Sequence, residues 1–143
     1  MNQRTILLVE DNPDDVELTL RALKANRITE KIIVARDGVE ALALLEEWVL
    51  HPESSLPALV LLDLNLPRVD GFEVLRKLRA EERTAHLPVV ILTTSREERD
   101  LMSGYGLGAN SYVHKPVEYA AFSEAIRQLG LYWLGMNLLP VEG

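Results

Sequence analysis

Short apolar runs of strand length alternate with amphipathic helical patterns along this chain, and that alternation leaves few folds open. Thr5–Val9, Lys31–Ala35, Leu59–Asp63 and Leu87–Thr93 read as strands, and Asn110–Val113 reads as a shorter fifth. Runs that stay apolar on successive residues bury both faces, as strands do in a parallel sheet covered by helices on either side. Asn12 is placed to cap a first helix, with Pro13 at its first position and Asp14 and Asp15 near its positive end. Val16, Leu20 and Leu23 carry its apolar face to about Asn26. Asp37 caps a second helix through about Trp48, and Pro67, Asp70 and Gly71 introduce a third over Phe72–Arg79. A fourth is predicted from about Arg96 to Tyr105, and a last from Val117 onward through Phe122, Ile126, Leu129 and Trp133. The expected architecture is α/β: a doubly wound three-layer sandwich of five helices on a five-stranded parallel sheet. Residues 1–143 are expected to form one domain, with 130–143 extending the last helix into a tail.

A chain of 143 residues, 48% hydrophobic and 26% charged, is long enough for a proper core. Its 15 Lys and Arg against 22 Asp and Glu give a formal charge of −7, which argues against nucleic acid or an anionic membrane as partner. There is no cysteine, so disulfides and thiol chemistry are excluded. The leading apolar stretch, Ile6 to Val9, is too short for a signal peptide, and no run approaches the roughly 20 apolar residues of a membrane span. A cytoplasmic location is expected.

The acids at the strand ends are the chemical anomaly. Glu10 and Asp11 close the first strand and Asp63 closes the third. Carboxylates gathered there repel one another and lose hydration unless a cation or a reacting group compensates them. Open parallel sheets bind ligands at the carboxyl ends of their strands, where Thr93 and Lys115 are also predicted to fall. Each residue has an ordinary reading alone: Asp11 as a first-turn helix acid, Asp63 as a turn acid, Thr93 as a strand-end threonine, Lys115 as a solvated charge. Together, three carboxylates, a hydroxyl and an ammonium suit a hard cation and a phosphoryl group. Gly104-Tyr105-Gly106-Leu107-Gly108-Ala109 matches a dinucleotide fingerprint literally, yet it follows a helix and precedes a strand, the reverse of the required context. His51, His86 and His114 show no ligand spacing.

The set Leu8-Val9-Glu10-Asp11-Asn12, Leu61-Leu62-Asp63-Leu64-Asn65-Leu66-Pro67, Asp70-Gly71, Leu92-Thr93-Thr94-Ser95 and Lys115-Pro116 resembles the receiver domain of bacterial response regulators. The resemblance spans nearly the whole chain and implies a flavodoxin-like sheet in the order 2-1-3-4-5. It implies that Asp63 is the phosphoacceptor for a sensor histidine kinase. Asp11, Asp63 and the backbone carbonyl of Asn65 would bind Mg²⁺, with Glu10 acting through a bound water. Thr93 and Lys115 would contact the phosphoryl oxygens, Pro116 would follow a cis peptide, and Tyr112 would be the switch aromatic. Inverting a two-state population from about 1:99 takes about 5.5 kcal/mol, and one hydrogen bond to a charged group contributes roughly 1.5 to 3. Thr93 and Lys115 are therefore expected to act together.

Two other classes stand beside this one. A phosphatase of the haloacid-dehalogenase type would need an Asp two residues after the nucleophile, where this chain has Asn65. A pseudo-receiver would bind partners without phosphorylation, and the intact acidic set argues against it. Asn12-Pro13-Asp14-Asp15 and the end Tyr132-Trp133-Leu134 to Leu139-Pro140 resemble, more narrowly, the small regulators that serve bacterial phytochrome kinases. The short C-terminus leads to the expectation of a stand-alone receiver that signals by protein contact or phosphorelay. Tyr119, Phe122, Leu131, Tyr132, Trp133, Leu134, Met136, Leu138 and Leu139 exceed what one helix face can bury. A homodimer or partner patch is expected there, centred on Tyr119, Phe122, Tyr132 and Trp133.

Overall fold

A computed structural model describes residues 4–64, 66, 68–93, 106, 109–114 and 119–136. Five strands, β1 (Thr5–Val9), β2 (Lys31–Ala35), β3 (Leu59–Asp63), β4 (Val89–Thr93) and β5 (Ser111–His114), pair in parallel in the order β2-β1-β3-β4-β5. The register sets Val9 opposite both Ala35 and Leu62, and Asp63 opposite Leu92. Helices α1 (Pro13–Ala25), α2 (Gly38–Leu50), α3 (Gly71–Ala80) and α4 (Tyr119–Leu129) accompany them. The predicted helix at Arg96–Tyr105 lies outside the described residues.

Alternation along each strand divides the core into two layers. Leu7, Val9, Val60, Leu62, Val89 and Ile91 face α2 and α3, where Leu45, Trp48, Val74, Leu75 and Leu78 meet them. Ile6, Leu8, Leu59, Leu61, Val90 and Leu92 face the other way, onto Val16, Leu23, Phe122, Ile126 and Leu129 of α1 and α4. Both sheet faces are therefore covered, which explains the unbroken apolar strands. The caps form as their residue types require: Asn12 accepts from the Asp14 and Asp15 N–H groups, Asp37 from that of Glu40, and Asp70 from that of Glu73.

Several boundaries differ from the sequence reading. β4 begins at Val89 rather than Leu87, because Pro88 has no N–H to give the ladder, although its carbonyl accepts from Val60 at 2.9 Å. β5 begins one residue late, because Asn110 serves as a bracket. Its N–H donates to the Val89 carbonyl at 2.9 Å, and its side-chain Oδ1 accepts from the Val89 N–H at 2.8 Å.

The C-terminal helix changes pitch. After α4 the chain continues as a π-helical stretch, Gly130–Met136. Bonding from i to i+5 widens the turn, so Trp133 and Leu134 both lie one turn beyond Leu129 and pack against the α1/α4 layer. The Arg4 guanidinium donates to the Leu134 carbonyl at 2.9 Å and pairs with Glu30 at 2.8 Å, tying this segment to the start of the sheet. The expected contact patch must be corrected accordingly. Phe122 is buried in the core and Trp133 is half-buried, whereas Tyr119, Leu131 and Tyr132 are exposed.

Candidate functional site

The site is built at the carboxyl edge of β1 and β3. The Glu10 N–H donates to the Ala35 carbonyl at 3.0 Å, extending the β1–β2 ladder one residue beyond β1 and holding the Glu10 backbone at the sheet edge. Its Oε2 accepts from the Asn12 N–H at 3.4 Å, while Asn12 caps α1. Asp63, the last residue of β3, is 7% exposed and Glu10 is 2% exposed, while Asp11 stands open to solvent between strand and helix. One carboxylate oxygen from each of Glu10, Asp11 and Asp63 lies within 4.8 Å of the others.

At that separation two ionised carboxylates repel by on the order of 3.5 kcal/mol in a medium of effective dielectric about 20. The donors are all oxygen and partly sheltered, and the cluster is open on the Asp11 side. Such a set fits a hard divalent cation that keeps several waters, and it fits poorly a soft metal that prefers sulfur or imidazole. The helix N-termini of α1, α2 and α3 gather at this same edge, and their positive ends favour anions near them.

Of the other residues expected at the site, Thr93 ends β4 with its backbone one residue past Leu92, the partner of Asp63. Tyr112 sits opposite Ile91 inside β5. The side chains of Thr93 and Tyr112, and all of Asn65, Lys115 and Pro116, lie outside the described residues. The structure therefore brings together Glu10, Asp11 and Asp63 of the expected set. It adds a feature that residue patterns did not reveal, the packing of Arg68 and Val69 against the start of α2. Arg68 adopts a left-handed backbone, φ 65°, and donates to Asp37 at 3.0 Å. A lone exposed arginine in a loop carries no sequence signal of such a contact.

A parallel 2-1-3-4-5 sheet with an acidic triad at the ends of its first and third strands defines a class. The chain belongs to the family described as the response regulator receiver domain, whose model matches residues 6–127. It is 43% identical over 137 residues to the probable methanogenesis regulatory protein FilR2 of Methanothrix harundinacea, covering 94% of this chain and 86% of that one. It is 37% identical over 137 residues to the response regulator Rcp1 of Synechocystis sp., covering 96% and 93%. The structure of Rcp1 in a Mn²⁺-bound form superposes with a TM-score of 0.85, at 37% identity over 96% of this chain and 99% of that one. The phosphorylated cyanobacterial phytochrome response regulator RcpA superposes with a TM-score of 0.88, at 35% identity over 98% of this chain and all of that one.

Proposed function

We propose that this receiver takes a phosphoryl group from a sensor histidine kinase onto Asp63. The observation that carries the reading is the packing of Glu10, Asp11 and Asp63 oxygens within 4.8 Å of one another at the carboxyl edge of the sheet. Carboxylate oxygens gathered in this way suit a hard cation and a phosphoryl group. Asp11, Asp63 and the Asn65 carbonyl would hold Mg²⁺, with Glu10 acting through water; Mg²⁺ prefers one or two carboxylates plus waters and phosphate oxygens. The bound cation supplies positive charge beside the transferring group.

In the chemical step an Asp63 carboxylate oxygen attacks phosphorus. The P–N bond of the phosphohistidine breaks, its electron pair returns to the imidazole, and an acyl phosphate remains. Thr93 would donate its hydroxyl and Lys115 its ammonium to the phosphoryl oxygens, and Tyr112 would turn inward as they are recruited. Pro116 would set the loop after β5 through a cis bond. Hydrolysis of the acyl phosphate at the same site would reset the switch, the chain thereby assisting its own dephosphorylation. The description of RcpA as a cyanobacterial phytochrome response regulator supports a phytochrome as the kinase, and the reading places the receiver in the cytoplasm, with residues 1–143 forming one domain. We expect it to need neither nucleic acid nor a membrane.

The test is intact mass after incubation with acetyl phosphate and Mg²⁺. One phosphoryl adduct is expected, absent in Asp63→Asn and absent without Mg²⁺. No adduct under conditions that label a known receiver would favour a binding module that works without phosphorylation.

The exposed Tyr119, Leu131 and Tyr132 further support a homodimer through the C-terminal helix. Sedimentation at micromolar protein is expected to give a dimer mass that falls toward the monomer in Tyr132→Ala. A monomer at all concentrations would sink this part of the reading.

A further inference from the structure

Two glycines, Gly71 and Gly38, sit tightly against Asp63, Leu64 and Val69. A Cβ on Gly71 would come 2.8 Å from the Leu64 Cα and closer still to the Asp63 carbonyl oxygen. The Gly71 N–H donates to the Leu64 carbonyl at 3.1 Å, so α3 begins directly against the backbone of Asp63. A Cβ on Gly38 would come 2.8 Å from the Val69 Cβ and closer still to the Val69 carbonyl oxygen. Both glycines are buried, and what crowds them is backbone and the Val69 Cβ, which cannot swing aside as the end of a long side chain can.

Beside the Gly38 contact lies an ion pair. Asp37 uses Oδ1 to accept from the Glu40 N–H at 2.8 Å and Oδ2 to accept from Arg68 at 3.0 Å. One carboxylate thus caps α2 and holds Arg68, on the approach to α3. Its side chain is only 13% exposed while that of Arg68 is 72% exposed, so the contact reaches from solvent into the fold. Arg68 makes it from a left-handed backbone, φ 65°, that a non-glycine residue adopts at a cost.

We propose that the start of α2, through Asp37, Gly38 and their contacts with Arg68 and Val69, is a positioning device for Asp63. It sets cation affinity without touching the cation. The inference rests on the receiver reading above. β2 delivers Ala35 to bond Glu10, and two residues later the same connection delivers Asp37 and Gly38 to Arg68 and Val69. The end of β2 and the start of α2 thus meet the Glu10 backbone on one side and Arg68 and Val69, which lead into α3, on the other. Groups that orient metal ligands from behind characteristically change metal affinity while leaving the ligands in place.

The experiment is a Mg²⁺ titration by calorimetry of the full chain as wild type, Gly38→Ala and Arg68→Gly, beside urea unfolding of each. Arg68→Gly is the decisive variant. Glycine accepts φ 65° without strain, so folding stability is expected to hold or rise while Mg²⁺ affinity falls about tenfold, the low end of the effect of outer-shell partners. Gly38→Ala is expected to weaken Mg²⁺ at least as much. Its affinity loss should exceed any caused by a destabilising core substitution of equal urea effect, such as Leu78→Ala. Unchanged affinity in Arg68→Gly, with wild type binding Mg²⁺ and accepting phosphoryl, would overturn the positioning role alone. Absence of saturable Mg²⁺ binding in wild type would overturn the receiver reading and this inference with it.

Discussion

At the amino edge of the sheet, where helices end, arginines meet carbonyl oxygens; at the carboxyl edge, where helices begin, carboxylates meet one another. Arg79 donates to the Ala85 and Leu87 carbonyls at 3.1 and 2.8 Å and to Asn110 Oδ1 at 2.8 Å. Burial pushes its guanidinium below the usual arginine range. Arg83 donates to the Trp48 carbonyl at the end of α2 and to that of Ser54, and Arg4 reaches the Leu134 carbonyl. Cations there complement the negative helix ends and satisfy acceptors that lack intrahelical partners. The opposite edge gathers Asp14, Asp15, Asp37 and Asp70 as caps or first-turn acids, with Glu10, Asp11 and Asp63 crowded beside them. The caps are matched to N–H donors, whereas the triad sets like charge against like. One edge sets cations on carbonyl acceptors, and the other gathers three carboxylates within 4.8 Å of one another.

The largest break in this comparison should come from Arg79→Ala. It strips a cation from three acceptors, and hydrogen bonds to charged groups and unmet acceptors each carry roughly 1 to 3 kcal/mol, so a loss of about 3 kcal/mol is expected in urea unfolding. Mg²⁺ affinity should be unchanged, since the two edges act independently. A parallel loss of Mg²⁺ binding would show that they are coupled.

The next effect belongs to the acidic edge. Mg²⁺ at a hundredfold excess over its Kd should stabilise the fold by about 2.7 kcal/mol through mass action, and chelation should reverse it. Asp63→Asn should abolish the gain. Equal stabilisation in Asp63→Asn, read from thermal melts with and without Mg²⁺, would place the cation elsewhere.

The smallest effect concerns a surface carboxylate beside an arginine. Hydrogen bonds from Arg127 and then Gln128 hold the exposed Glu124 carboxyl at about 2, below its ordinary 4.5. The depressed value means the contribution is present above 4.5 and fades as pH falls toward 2, when the carboxylate protonates. Because the pair lies on the surface, salt should screen it. Carboxyl NMR titration of Glu124 is expected to give a midpoint near 2 that rises in Arg127→Ala and in high salt. An unshifted midpoint would dissolve the pair.

Much of this molecule was legible beforehand because local chemistry dictates it. Strands β2 and β3 fall on the residues that the apolar runs mark, and Asn12, Asp37 and Asp70 cap the helices that follow them. Cap residues act within three positions of themselves, and strand burial repeats every two, so a short window contains the information. Asp63 and Glu10 at the strand ends were legible for the same reason. Phe122 shows the limit. Its apolar character was plain, but its burial, against the exposure of Tyr132, depends on how α4 rolls onto the sheet and how the π-helical stretch turns after it.

By itself, then, the sequence determined the class of sheet, the identity of the acids and the edge on which they stand, because each follows from periodicity or capping over a few residues. Tertiary structure alone decided that Glu10 and Asp63 are buried while Asp11 is open, and that their oxygens lie within 4.8 Å of one another. It also chose the partners of the long cations. Arg68 bonds Asp37 across 31 positions, Arg83 bonds Trp48 across 35, and Arg4 bonds Leu134 across 130. A flexible arginine has many partners within reach in the unfolded chain, and only the packing of apolar layers between distant segments selects among them.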